Sequence, residues 1–215
     1  MIITWYGQAC FKIQSGEKTL VVDPFAKFIG LTPPGIQADI VFVTHEHSDH
    51  SNVKAIKGDY FLVNGPGEYE VGGVKVRGII SFHDNEKGAK LGSNTLYLIE
   101  SEGIRILHCG DLGQERLEEE QLDLIGRVDI LMIPVGGFFT IDARGAVGII
   151  NQIEPKIVIP MHYKIPKLTI KQLEGVDKFL KEFGEEDVIP QDKLTIKQKD
   201  FLAEEEKTRV VVMKI

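Results

Sequence analysis

Residues 45–50 of this 215-residue chain read HEHSDH, and they follow directly on the apolar run at residues 39–44. The cluster therefore lies at the end of a predicted strand, where the chain turns. Imidazole nitrogens and carboxylate oxygens are ligands suited to zinc, manganese or iron. In an extended or turning segment, His45 and His47 lie on one side and can share a metal ion, which leaves Asp49 and His50 free to reach a second. The spacing predicts a metal centre rather than an exposed loop with chance histidines.

Strands separated by turns are predicted for the first half of the chain, and short apolar runs predict further, buried strands in the second half. Glu102-Gly103, between two of the runs, is typical of a tight hairpin. The strands are expected at residues 41–44, 74–77, 96–99, 104–107, 130–133, 157–159 and 208–215.

Helices are predicted in the second half. Asp142 is placed to cap a helix that stops before Pro155. Thr169 and Gln172 form a capping-box pattern ahead of a second helix, for which Gly184 provides a stop.

The acidic segment at residues 114–125 is a third helix candidate. The chain shows no repeat, long linker or inserted segment. Mixed strands and helices over this length predict one α/β domain spanning residues 1–215.

Net charge, the lengths of apolar runs and the number of cysteines bear on the classes of partner and on the cellular compartment. Lys and Arg number 25 and Asp and Glu 32, for a net charge of −7, which disfavours a basic nucleic-acid-binding surface. No apolar run approaches the roughly 18–20 residues that span a bilayer, and the amino terminus lacks the features of a signal peptide. Cys10 and Cys109 are too few for a disulfide framework. We expect a cytoplasmic protein that acts on a small molecule without membrane or nucleic acid. The acidic run at residues 204–206 is expected to be a solvated face.

The HEHSDH segment resembles the H-x-H-x-D-H signature of the metallo-β-lactamase superfamily of binuclear metallohydrolases. Four other segments resemble further family motifs in the expected order: Val22-Asp23-Pro24, Ser81-Phe82-His83-Asp84, His108-Cys109-Gly110-Asp111 and Ile159-Pro160-Met161-His162-Tyr163. The resemblance covers at least residues 4–164 and is strongest to the compact branch that includes ascorbate-phosphate lactonase-like proteins. It implies a four-layer αββα sandwich with the metals in a cleft at one edge of the sheets.

Two divalent metal ions per chain are implied by the resemblance, Zn²⁺ in the first place, with Mn²⁺ or Fe²⁺ as alternatives. On the residues alone, His83 competes with His108 for the first site. We favour His83 because a strand leads into it and a loop follows, which leaves His108 as a supporting or core residue. The implied ligands are His45, His47 and His83 for the first ion, Asp49, His50 and His162 for the second, and Asp111 shared between them.

Further candidates lie beside these ligands. Asp23 would accept hydrogen bonds beneath the metal loop, or it is an ordinary turn aspartate. Tyr163 and Lys164 are candidates for contacting substrate oxygens, although surface residues at these positions would need no special role. Residues 136–140 form either a wall of the cleft or a plain strand-to-helix turn.

The implied reaction is hydrolysis, with Asp49 and Asp111 as catalytic residues. Two cations sharing a water would lower its pKa from about 15.7 toward about 7 and so provide hydroxide at neutral pH. We expect attack on a small ester, lactone or phosphoester. A nuclease or phosphodiesterase of the same superfamily, and a metal-binding accessory protein without turnover, remain the alternatives.

Overall fold

Two β-sheets packed face to face form the centre of the protein, seen here in a computed structural model that describes residues 1–201 and 207–215. The acidic run at residues 204–206 lies outside the described residues. The strands are β1 (Ile2–Gly7), β2 (Cys10–Ser15), β3 (Lys18–Val22), β4 (Ile40–Phe42), β5 (Phe61–Val63), β6 (Gly67–Val71), β7 (Val74–Phe82), β8 (Ser93–Ser101), β9 (Ile104–His108), β10 (Ile130–Pro134), β11 (Ile157–Met161), β12 (Leu194–Thr195) and β13 (Arg209–Val210). The helices are α1 (Glu119–Ile125), α2 (Ala143–Ile153) and α3 (Val176–Phe183), with 3₁₀ turns at Lys27–Ile29, Val53–Ala55 and Gln198–Phe201.

Strand direction is what brings the functional residues together. The first sheet has the order β12-β1-β2-β3-β4-β5, and the second β13-β11-β10-β9-β8-β7-β6. In the first sheet β1, β3, β4 and β5 run in one direction, with β2 antiparallel to its neighbours. In the second sheet β7, β9, β10 and β11 share a direction, with β8 antiparallel. The carboxyl ends of the co-directional strands in each sheet therefore lie at one edge.

Successive side chains of the strands point to opposite sides, and apolar residues therefore form a core on both faces of the first sheet. On β3, Leu20 and Val22 point into the core between the two sheets. Val21 and, on β4, Val41 point the other way, into a second cluster that includes Phe25. Because successive side chains of a strand face opposite sides, a run that is apolar throughout predicts a strand covered on both faces.

The outer layers differ on the two sides. Helices α1 and α2 pack on the second sheet, and α3 packs on α2. Over the first sheet, the described residues provide the 3₁₀ turn Lys27–Ile29 and loops, which supply Leu31 and Leu168 to the outer cluster. The layered α/β sandwich is confirmed. No helix within residues 1–201 and 207–215 is long and apolar enough to cross a membrane.

Local sequence signals account for several elements. Asp142 accepts a hydrogen bond from the Gly145 amide at 2.9 Å and caps α2, as predicted. Glu102 and Gly103 join β8 to β9 with φ values of 54° and 72°. Positive φ at both central residues suits a two-residue hairpin turn, so the predicted hairpin is confirmed.

The capping box predicted at Thr169 is wrong, since α3 begins at Val176 after Gly175. Tertiary hydrogen bonds hold Thr169 in a loop: its amide donates to the carbonyl of Ile29 and its hydroxyl to that of Phe28. The stop at Gly184 is confirmed by a left-handed φ of 84°.

Two other segments are shorter than predicted. In the segment 114–125 the helix begins only at Glu119, because the Gln114 side chain accepts the Phe82 amide and holds the chain in a loop. The predicted final strand is limited to β13, with one isolated bridge at Met213.

Candidate metal centre

The carboxyl ends of three strands from each sheet meet at one edge of the sandwich, and each of these strands is followed by a polar residue. The polar side chains come together because the two sheets face each other with these strand ends at the same edge. The residues are Gln8 after β1, Asp23 after β3, residues 45–50 after β4, His83 after β7, Asp111 after β9 and His162 after β11.

Asp23 holds the loop that carries residues 45–50. Its Oδ1 accepts the Thr44 amide at 2.8 Å, and its Oδ2 accepts the Thr44 hydroxyl at 2.7 Å. The same Oδ2 lies 2.9 Å from Nδ1 of His50. A proton on that Nδ1 leaves Nε2 of His50 as the ligand atom facing the centre.

The first candidate group is His45, His47 and His83, whose ligand atoms lie within 4.8 Å of one another. His45 Nε2 is 3.1 Å from His47 Nδ1. Burial, together with the neighbouring His50, lowers the pKa of His45 to about 2. The ring is therefore neutral at physiological pH, which is the form that binds metals.

The second candidate group is Asp49, His50 and His162, again within 4.8 Å. Asp111 lies between the two groups. Its Oδ2 is 3.2 Å from Nε2 of His50, 3.2 Å from Nε2 of His83 and 3.3 Å from Nε2 of His162. Burial acts to raise the pKa of Asp111, but His162 and His50 outweigh burial and hold it well below its usual value.

Unpartnered buried atoms test whether cations fit here. Asp111 Oδ1 and Nε2 of His50, the nitrogen that faces the centre, are buried and have no hydrogen-bond partner, whereas most buried polar atoms have one. A set of imidazoles and carboxylates with such unmet bonding capacity suits divalent transition metals. The residues present therefore fit divalent metal ions of this kind.

His108 is engaged elsewhere. Its Nε2 lies 2.9 Å from the carbonyl of Ala9, and its Nδ1 accepts the Gly110 amide at 3.1 Å. The ring is fully buried, and burial lowers its pKa. Both ring nitrogens are hydrogen-bonded to backbone groups. His108 therefore supports the turn before Asp111 and has no free nitrogen to bind a metal.

The turn into Asp111 depends on glycine. Gly110 has a φ of 54°, and a Cβ there would lie 2.3 Å from Oδ1 of Asn94. That same Oδ1 accepts the Asp111 amide at 3.1 Å, while Nδ2 of Asn94 donates to the carbonyl of Cys109. A side chain at position 110 would therefore displace the residue that orients Asp111.

A cavity of about 430 Å³ opens over the two groups of ligands. Its walls are mainly apolar: Phe28 is 59% exposed and Leu91 37%. Of the residues 136–140, Phe139 lines the cavity, consistent with the wall alternative. No lysine or arginine lines it in the part of the chain that the structure describes. The lining residues are Phe28, His47, Asp49, His83, Leu91, Asp111, Phe139, His162, Thr169, Ile170 and Gln172.

Tyr163 and Lys164 face a different cavity of about 710 Å³. The Tyr163 ring packs 5.0 Å from Trp5, and its hydroxyl donates to the carbonyl of Met213 at 3.5 Å. His162 has a φ of 52°, and this left-handed residue lies between the strand and Tyr163. The two residues therefore follow the candidate ligand His162 in sequence but lie outside the cavity over the candidate metal centre.

Gln8 is a site residue that sequence reasoning missed. It is fully buried, and its Nε2 lies 3.1 Å from Asp49 Oδ2 and 2.7 Å from His162 Nε2. The available signal was its position directly after an alternating strand, which is weak without a motif.

Asp84 was also missed as an anchor of the loop beside His83. One oxygen accepts the amides of Glu86 and Gly88, and the other those of Lys90 and Leu91, at 2.7–2.8 Å. These backbone hydrogen bonds, that of Leu91 first, lower the pKa of Asp84 to about 2. The loop they fix supplies Leu91 to the cavity wall.

Fold and site together define a member of the metallo-β-lactamase superfamily. Residues 2–162 match the beta-lactamase superfamily domain, and the chain belongs to this family. A UPF0173 metal-dependent hydrolase of Thermoplasma acidophilum is 30% identical over 186 residues, covering 75% of this chain and 82% of the relative. Another, from Thermococcus onnurineus, is 29% identical over 188 residues, covering 75% of this chain and 84% of that one.

A solved structure shows the same architecture. A Thermotoga maritima protein, provisionally described as a Zn-dependent hydrolase of the metallo-beta-lactamase superfamily, is 36% identical and superposes with a TM-score of 0.79. The match covers 99% of this chain and 97% of that one. This chain is thus one of the metal-dependent hydrolases of the superfamily, and the predicted family, fold and enzyme class are confirmed.

Proposed function

We propose that the protein is a binuclear hydrolase of small, uncharged esters or lactones. The observation that carries the proposal is the position of Asp111, whose Oδ2 lies 3.2–3.3 Å from imidazole nitrogens of both candidate groups. A carboxylate in that position can touch two cations and offset their mutual repulsion. The first ion would be held by His45, His47 and His83 and the second by Asp49, His50 and His162, with Asp111 shared.

Three carboxylates have different roles in the proposed reaction. When bound, two divalent cations supply an activated hydroxide and a Lewis acid that polarises the substrate oxygen. Asp111 has a side chain only 3% exposed and serves to position the pair. The side chain of Asp49 is 20% exposed and lines the cavity, so it is the carboxylate that would take up a proton from the reacting groups. Asp23 keeps His50 oriented throughout.

The lining of the cavity supports the substrate class. Phe28, Leu91, Phe139 and Ile170 provide apolar walls, and Thr169 provides a hydroxyl. An anionic phosphodiester would meet no guanidinium or ammonium group among the described lining residues, whereas phosphate sites usually provide one. An acyl chain or lactone ring gains free energy by covering the apolar walls. We therefore rank esters and lactones above phosphoesters, with Zn²⁺ the first metal to test and Mn²⁺ and Fe²⁺ next.

The test is a panel of substrates on metal-loaded protein: p-nitrophenyl acetate and butyrate, γ- and δ-lactones, bis-p-nitrophenyl phosphate and a short RNA. We expect turnover of esters or lactones that is abolished by a chelator and restored by metal. Higher kcat/KM on bis-p-nitrophenyl phosphate or RNA would instead identify a phosphodiesterase or nuclease. Two bound metals without turnover of any substrate would indicate an accessory metal-binding protein.

A wall variant tests whether the cavity is where the substrate binds. Phe28→Ala should raise KM for the butyrate ester more than for the acetate ester, because the longer chain covers more of the aromatic wall. Phe61→Ala is the control, since Phe61 is 47% exposed on β5 and does not line the cavity. Equal effects of the two variants would place the acyl group elsewhere.

A further inference from the structure

A constrained backbone conformation holds the side chain of Gln8 beside the candidate metal centre. Its φ is 53°, in the left-handed region that few residues other than glycine adopt. Its carbonyl oxygen accepts the indole NH of Trp5 and the amide of His162, both at 3.0 Å. Strained, fully buried residues fixed in this way cluster at functional sites. The Gln8 carboxamide therefore reaches a fixed place directly beside His162.

Distances place one end of that carboxamide among the ligands of the second group. Gln8 Nε2 is 2.7 Å from His162 Nε2 and 3.1 Å from Asp49 Oδ2, and Asp49 Oδ2 is 3.6 Å from His50 Nε2. Donor atoms that each lie about 2.0–2.2 Å from one ion are roughly 3 Å apart. The other end, Gln8 Oε1, is buried without a hydrogen-bond partner.

We propose that Gln8 Oε1 is an additional ligand of the second cation, an inference that rests on the two-ion function proposed above. A carboxamide has nearly the same shape at both ends, so a half-turn about its last bond exchanges Oε1 with Nε2 and leaves the chain in place. A cation held between Asp49 and His162 favours that turn, because it attracts the amide oxygen and repels the NH₂ group. The turn also gives the unpartnered oxygen a bond.

The extra oxygen changes the metal preference of this site. With Gln8, the second site has five protein donors: Asp49, His50, Asp111, His162 and the amide oxygen. Zn²⁺ sites are most often four-coordinate, whereas Mn²⁺ and Fe²⁺ accept higher coordination and oxygen ligands. Gln8 should therefore shift the second site toward Mn²⁺ or Fe²⁺ and leave the first, all-histidine group unchanged.

Co²⁺ binding to the intact chain tests this assignment, read by equilibrium dialysis and by d–d absorption, whose intensity rises as coordination number falls. Gln8→Leu removes both polar ends, Gln8→Asn shortens the side chain and tolerates positive φ, and Gln8→Glu keeps an oxygen in reach. Gln152→Leu, which removes a glutamine bonded to the backbone of Leu117, is the control.

We expect the wild type and Gln152→Leu to bind two Co²⁺ ions alike. Gln8→Leu and Gln8→Asn should bind the second ion at least tenfold more weakly and with stronger absorption, and Gln8→Glu should restore both properties. A wild type that binds one ion at saturation overturns the two-ion function itself. A wild type with two ions and an unchanged second site in Gln8→Leu and Gln8→Asn overturns only the role of Gln8. If Gln8→Leu and Gln8→Asn weaken the second site and Gln8→Glu does not restore it, Gln8 acts through its NH₂ group as a hydrogen-bond donor. That outcome also overturns the assignment of Gln8 as a metal ligand.

Discussion

Asp23 Oδ2 lies 2.9 Å from Nδ1 of His50, and the side chains of both residues are inaccessible to solvent. Because the carboxylate accepts from Nδ1, the ligand atom of His50 is fixed as Nε2. Burial acts to lower the pKa of His50, but the carboxylates of Asp111 and Asp23 outweigh burial and raise it well above its usual value. The orientation of a proposed metal ligand is thus set by a residue at the end of a different strand, 27 positions earlier.

Asp23→Asn should weaken metal binding about 10–100-fold, the usual effect of removing a carboxylate behind a ligand imidazole. Asparagine has one acceptor where Asp23 uses two oxygens for the Thr44 amide, the Thr44 hydroxyl and His50. Competition with a chromophoric chelator measures the affinity. The control is Asp39→Asn, a carboxylate bonded to the Thr19 amide away from the centre. Equal affinities in the two variants would show that Asp23 is only a turn residue.

His83 and His108 should respond oppositely to alanine substitution. His83→Ala removes a proposed ligand, so metal content should fall strongly while the thermal midpoint of the chelated protein changes little. His108→Ala leaves the Ala9 carbonyl and the Gly110 amide buried without partners, a loss of about 1–3 kcal/mol each. Its midpoint should therefore fall while metal affinity changes at most about 10–100-fold. Loss of metal in His108→Ala and retention in His83→Ala would reverse the assignment.

Short sequence patterns correctly predicted those elements that are stabilised by residues close together in the sequence. The HEHSDH loop, the Asp142 cap and the Glu102-Gly103 hairpin depend on residues close together in sequence. Gln8 could not be found in this way, because its contact with His162 joins residues 154 positions apart. The predicted cap at Thr169 failed for the same reason, since its bonds reach across 141 positions to Phe28.

The surroundings of the HEHSDH motif were less predictable than the position of the motif at a strand end. Tyr163 adjoins His162, yet the left-handed turn at His162 precedes a Tyr163 side chain packed against Trp5, away from the cavity. Asp84 directly follows His83 in the sequence, and the structure shows its carboxylate accepting hydrogen bonds from four backbone amides. Such roles depend on three-dimensional packing that residue spacing does not encode.

Asp84 should make the stability of its loop depend on pH in the acid range. Its pKa is about 2 in the folded protein against an ordinary 3.8, so the carboxylate contributes stability above about pH 4 and loses it as pH falls toward 2. Asp84→Asn should be less stable than the wild type at pH 7, and the difference should shrink below pH 4. Urea unfolding of chelated protein at pH 7, 5 and 3 measures this.

The matched control for that series is Asp123→Asn, a carboxylate on α1 that lies outside the loop. Its difference from the wild type should be small at every pH. An Asp84→Asn difference that is the same at pH 7 and pH 3 would mean that the charged carboxylate does not hold the loop.

The central claim, that Asp111 lets this fold hold two cations, is tested most directly by counting bound metal in the wild type and in Asp111→Asn. Asparagine keeps the shape of Asp111, but it is neutral and a poorer ligand. Asp129→Asn is the control, because Asp129 is similarly buried but accepts the Arg105 amide far from the centre. Elemental analysis after saturation with Zn²⁺ or Mn²⁺ and removal of excess metal should give close to two ions per chain for the wild type and Asp129→Asn, and close to one for Asp111→Asn. One ion or fewer in the wild type, or two retained ions with full turnover in Asp111→Asn, would contradict the account.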